Sequence, residues 1–93
     1  MDLKIGQIVI SKAGRDKGKV FVVLGLSCEK DGEFAFLVDG GERSVAKPKK
    51  KKYKHIQPTL TLDVNLAEMI AQKANLKDSD FKAAIKNFEA KKI

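Results

Sequence analysis

One cysteine, one histidine, one tyrosine and no tryptophan occur in a chain of 93 residues. The lone Cys28 rules out an internal disulfide and cannot found a cysteine-ligated metal site. His55 has neither companion ligands nor triad partners, and the acids fall in turns, strand ends and helix flanks without forming a recognisable pair, so no active-site pattern is present. No apolar run approaches the ~20 residues that a membrane-spanning helix needs. The start, Met1-Asp2-Leu3-Lys4, does not read as a signal peptide. These absences point to a cytoplasmic, non-enzymatic protein with no metal, no cofactor, no small-molecule substrate and no membrane partner.

What is abundant is positive charge, and its distribution is uneven. The net charge is +7 and the isoelectric point about 9.6, values that favour a polyanionic partner. Residues 1–46 hold seven Lys/Arg and seven Asp/Glu, while residues 47–58 hold six lysines and no acid. Nearly the whole excess lies in Lys47-Pro48-Lys49-Lys50-Lys51-Lys52-Tyr53-Lys54. Like charges this close repel one another, so folding alone does not explain them. Neutralising phosphates does, because each contact releases condensed counterions.

The chain length suits one small core, with the strands drawn first. Gln7 to Lys12 and Lys19 to Leu26 read as two strands rich in β-branched residues around a glycine-bearing loop, with Gly25 marking a bulge. Ser27 to Gly32 reads as a turn, and Glu33 to Asp39 as a third strand ended by Gly40-Gly41. Arg43 to Ala46 fits a short fourth strand. Pro48 puts the lysine run at an edge or in a loop, and His55-Ile56-Gln57 fits a fifth strand closed by Pro58. Several short strands at close turn spacing predict a small antiparallel barrel over residues 1–58.

The period then becomes helical over 59–93. Thr59 to Leu62 alternates and either extends a strand or crosses the barrel. Leu66, Met69, Ile70 and Ala74 form one apolar stripe, with Asn65 and Glu68 as a capping box and Asn75 as a stop. Phe81, Ala84, Ile85 and Phe88 form another, capped by Asp78 or Ser79, with Lys91 and Lys92 at the favourable end of the helix dipole. The expected fold is thus mainly β with α: a barrel followed by a helical pair that packs on the barrel or on a partner.

Gly6-Gln7-Ile8-Val9-Ile10, Gly14-Arg15-Asp16-Lys17-Gly18-Lys19 and Val20 to Val23 resemble the KOW motif, found in large-subunit ribosomal proteins and in transcription elongation factors. Phe36-Leu37-Val38-Asp39-Gly40 looks like the next strand and turn of the ribosomal protein family called large-subunit fourteen-e. The resemblance covers roughly residues 5 to 58 and leaves 59–93 unexplained. It implies an SH3-like barrel and binding to ribosomal RNA or another structured RNA, with ribosomal proteins as further candidate partners. The lysine run at 49–52 is denser than the motif requires, and KOW domains also bind proteins. A nucleotide-binding P-loop does not fit: three residues separate the glycines instead of four, Val20 replaces Ser/Thr, and a strand follows.

The candidate RNA-binding residues are Lys12, Arg15, Lys17 and Lys19 of the hairpin loop, Arg43, and Lys47, Lys49, Lys50, Lys51, Lys52, Tyr53, Lys54 and His55. The cations would contact phosphates. Tyr53 either stacks on an unpaired base or folds back on the barrel. Phe21, Phe34 and Phe36 read as core, and Lys82 with Lys86, at i, i+4 on one helix, as a solvated face in preference to a secondary RNA contact. The competing function is a protein-interaction module in transcription elongation or ribosome assembly.

Overall fold

In the computed structural model, which describes residues 2–91, the two apolar runs become adjacent strands. Met1, Lys92 and Ile93, including the expected dipole contact of Lys92, lie outside the described residues. β1 (Gln7–Ser11), β2 (Val20–Glu29), β3 (Gly32–Val38), β4 (Lys49–Lys52) and β5 (Ile56–Leu62) form one antiparallel sheet in the order β4-β3-β2-β1-β5. Two helices follow, α1 (Val64–Ala71) and α2 (Asp78–Ala90). The domain is mixed α and β.

The runs are continuous, not alternating, because the central strands are covered on both faces. Val9, Phe21, Val23, Ala35, Leu37 and Ile56 pack with Leu3 inside the curl of the sheet. Ile8, Val22 and Val38 face the other way, onto Leu66, Phe81 and Ala84 of the helices. Leu66, Met69 and Ile70 of the first predicted stripe and all four residues of the second therefore pack on the sheet of their own chain, while Ala74 lies beyond the end of α1 and outside this cluster.

The expected barrel does not close. β4 and β5 stand at opposite ends of the strand order, and no ladder joins them among the described residues. A 3-10 turn at Tyr53–His55 carries the chain from one edge to the other. The turn uses the backbone groups that a closing ladder would need: Ile56 N–H donates to Tyr53 O, and Lys12 N–H to His55 O at 2.8 Å. The sheet is still strongly curled. Four residue steps from Lys52 to Ile56 span at most about 14 Å, whereas a flat five-stranded sheet would separate its edges by about 19 Å. The register shift between Val23 and Gly25 is a bulge that helps β2 to bend.

Other boundaries also moved. β2 runs on through Cys28 to pair Glu29 with Gly32, which leaves Lys30-Asp31 as a two-residue turn. Arg43 to Ala46 is a loop and not a strand, because carboxylates take its donors: Asp39 Oδ1 accepts from Gly41 and Arg43 N–H, and Asp78 Oδ1 from Val45 N–H. β5 continues through Pro58 to Leu62, so the 58/59 division falls inside a strand. Asp63, and not Asn65, caps α1, accepting from Leu66 N–H at 3.0 Å. A charged cap two residues earlier also suits the helix dipole. α1 ends before Asn75, where Lys73 turns left-handed at φ 53°. α2 has Lys77 at its cap position, with Asp80 accepting from Lys77 N–H.

Two glycines set how closely the helices sit. At Gly6 (φ +87°) a Cβ would lie 2.7 Å from Ala67 Cβ. At Gly40 (φ +81°) it would overlap the Asp78 carbonyl and lie 2.7 Å from Lys82 Cγ. Only glycine accepts both the left-handed backbone and the contact.

Candidate nucleic-acid interface

The hairpin loop between β1 and β2 is closed by its own backbone, with Gly18 N–H donating to Ser11 O and Lys19 N–H to Asp16 O. Asp16, the only acid in this loop, is 5% exposed. Its carboxylate lies 3.5 Å from Lys19 Nζ and 3.7 Å from Arg43 Nη2, which ties the hairpin to the loop after β3. Lys19 also reaches Glu42 at 3.5 Å. Arg43 is thus an anchor for the hairpin, and its Nε is buried without a hydrogen-bond partner. Arg15 and Lys17 project from the same loop, exposed and in no ion pair among the described residues.

The lysine quartet is an edge strand, and alternation divides it. Lys49 and Lys51 pair with Leu37 and Ala35, so they share the inner face of the sheet. Lys51 is 9% exposed. Its stem crosses the end of the inner core, and its ammonium donates to the Ala13 carbonyl of the hairpin loop at 2.8 Å. Lys50 and Lys52 face outwards opposite Phe36 and Phe34. Lys50 Nζ sits 4.5 Å from the Phe34 ring centroid and 2.7 Å from Glu29 Oε1, and Lys52 Nζ is 5.8 Å from the same ring. The hydrogen bond from Lys50, then that from Ser27, holds the Glu29 carboxyl below its ordinary range.

The structure therefore joins the hairpin loop, Arg43, Lys51 and His55 at one end of the sheet, with Lys49 on the same inner face as Lys51; it sends Lys50 and Lys52 to the opposite face, and it places Tyr53 and Lys54 beside Asp31, Gly32 and Glu33 of the β2–β3 turn. Lys47 and Lys54 are exposed on either side of β4, and His55 is half-buried with its carbonyl bound to Lys12. Tyr53 folds back against the inner core, and this burial, then the Glu33 carboxylate, raises its hydroxyl above the ordinary tyrosine value. Phe34 is buried, 9% exposed, as expected of a core residue, and Lys50 and Lys52 cover its ring on the outer face of the sheet.

Two features were not chosen from sequence. Asp16 counts there only as one negative charge against three positive ones, and its role depends on Arg43, twenty-seven residues away. Lys82 and Lys86 read as a solvated face, yet α2 places them beside Gly18 and Lys19 of the hairpin. Their i, i+4 spacing was the available signal.

No group of three or more His, Cys, Asp or Glu among the described residues is placed to hold a metal ion. No helix among them is long and apolar enough to cross a membrane. No family model matches the chain, and no curated protein matches it. The likeness to the KOW family rests on the motif residues themselves.

Proposed function

We propose that this is a non-enzymatic, cytoplasmic RNA-binding protein of the KOW type, a ribosomal or ribosome-associated protein that grips ribosomal RNA phosphates through its hairpin loop and lysine-rich segment. The observation that carries the reading is the bond from Lys51 Nζ to Ala13 O, which holds the two basic segments against each other. The 3-10 turn between β4 and β5 and the curl of the open sheet support the finer description, an SH3-like arrangement.

Six cations of these segments, Lys12, Arg15, Lys17, Lys47, Lys49 and Lys54, have no ion pair among the described residues. If each meets one phosphate, log K for ribosomal RNA falls with log salt at a slope of roughly −4 to −5. Fluorescence anisotropy with labelled ribosomal RNA fragments over a salt series measures it. A salt-insensitive affinity overturns the reading. Specificity would come from RNA shape and junctions, because duplex RNA offers little direct base readout.

A second reading, a protein-interaction module acting in transcription elongation or ribosome assembly, is favoured by one observation. Leu60 is 107% exposed, and Leu62 and Val64 follow it with 40% and 60% exposure. This reading predicts that partner binding survives the change of Lys49, Lys50, Lys51 and Lys52 to Gln and is lost in Leu60→Asp. RNA binding predicts the reverse.

A further inference from the structure

An open groove of about 470 Å³ runs between the hairpin loop and α2, with Gly18 and Lys19 on one wall and Lys82 and Lys86 on the other. Its acids are Asp39 and Glu89. Asp39 is turned into its own loop, where Oδ1 accepts from two backbone N–H groups. Lys82 is held in place by its stem, which lies over the Gly40-Gly41 turn closely enough that a Cβ at Gly40 would come within 2.7 Å of its Cγ. Neither Lys82 nor Lys86 has an ion pair among the described residues. Four positions along a helix advance about 6 Å, on the order of the separation between successive phosphates of one strand.

We infer that this groove is a second RNA-backbone site, in which Lys82 and Lys86 take consecutive phosphates of a strand that also passes the hairpin loop. The inference rests on the RNA-binding reading above. It makes the hairpin the middle of a basic strip, with the Lys49–Lys51 face of β4 on one flank and α2 on the other. The helices are then part of the interface as well as a cover for the sheet. The occupant is a phosphodiester chain because the groove offers separated cations at a repeat against one remaining acid, Glu89, and its apolar side chains are limited to Val20 and Ile85.

The test compares the full chain with K82Q/K86Q, with K86Q alone and with a control, K4Q/K73Q, that removes equal charge from outside the groove. The probe is fragmented, end-labelled total ribosomal RNA, titrated at several salt concentrations. Two lost contacts to a single strand lower the magnitude of the salt slope by about 1.4 and weaken binding about tenfold at physiological salt. The control should stay within about twofold of the parent. K86Q, whose side chain does not pack on the glycine turn, should lose about half of the slope change even if K82Q disturbs folding. A double variant equal to the parent, or a control that falls as far, overturns the inference and leaves the RNA-binding reading intact. A parent that binds no RNA removes both.

Discussion

β4 consists of four lysines in regular register with β3, whereas β5, at the other edge of the same sheet, carries no charge from Ile56 to Leu62. β5 has Pro58 inside it, and its register against β1 shifts so that Thr59, Leu60 and Thr61 bulge opposite Ile8. Gln7 Nε2 donating to Thr59 O and Thr59 Oγ1 donating to Ile8 O hold the bulge in place. An edge strand must avoid pairing with another chain, and charge, proline and bulges all serve that end. One edge here uses charge and the other uses backbone irregularity. Only the first device leaves a surface that a polyanion can use. The second leaves a neutral rim with a protruding leucine.

The largest effects should come where each edge is joined to a helix. Gly6 accepts Asp63 N–H just beyond β5, and Gly40 lies in the loop that leads to β4. Gly6→Ala and Gly40→Ala each combine a left-handed backbone with a close contact, and each should cost about 3 kcal/mol. Urea denaturation checks this; a loss below about 1 kcal/mol in either would show that the helix can move aside.

A smaller effect separates the two edges directly. Lys51→Ala removes a buried stem and a charged hydrogen bond and should cost about 2 kcal/mol, while Lys51→Met, which keeps the stem, should cost about 1 kcal/mol. Leu60→Gln, on the exposed bulge, should stay within about 0.5 kcal/mol. Equal losses at Lys51 and Leu60 would break the contrast between a lysine built into the fold and a leucine outside it.

The smallest effect concerns Tyr53, in the turn that links the two edges. Burial raises its hydroxyl, so the folded state keeps it neutral after the unfolded chain has begun to ionise. Its contribution to stability is present below the ordinary tyrosine value and is lost as pH rises through and above it. With a single tyrosine in the chain, an ultraviolet absorbance titration reports this residue alone. A phenol that titrates at its ordinary value would mean that the ring is free of the core.

The sequence made β1, β2, β3 and both helices legible because each carries its own apolar period or run. The fourth strand was misplaced. Arg43 to Ala46 has acceptable strand composition, but its backbone donors go to Asp39 and to Asp78, contacts made across up to thirty-three residues. Lys49 to Lys52 has poor strand composition and is a strand because β3 offers a free edge beside it. The barrel failed for a similar reason: closure depends on where a three-residue turn sends its hydrogen bonds, and no residue type signals that. At the candidate site the charges could be counted, but not sorted. Four adjacent lysines look equivalent until the pleat sends Lys51 into the core and Lys50 onto Phe34.

The fastening of the hairpin loop bears on recognition through entropy. Ordering a mobile segment costs about 1–2 kcal/mol per residue in backbone freedom alone, and a loop that orders only on binding loses that much affinity. Here Ala13, Asp16 and Lys12 are already held, by Lys51, by Lys19 with Arg43, and by the His55 carbonyl. The loop's cations thus meet a ligand as a template set during folding. Discrimination among RNAs then passes from the adaptability of the protein to the shape that each RNA brings.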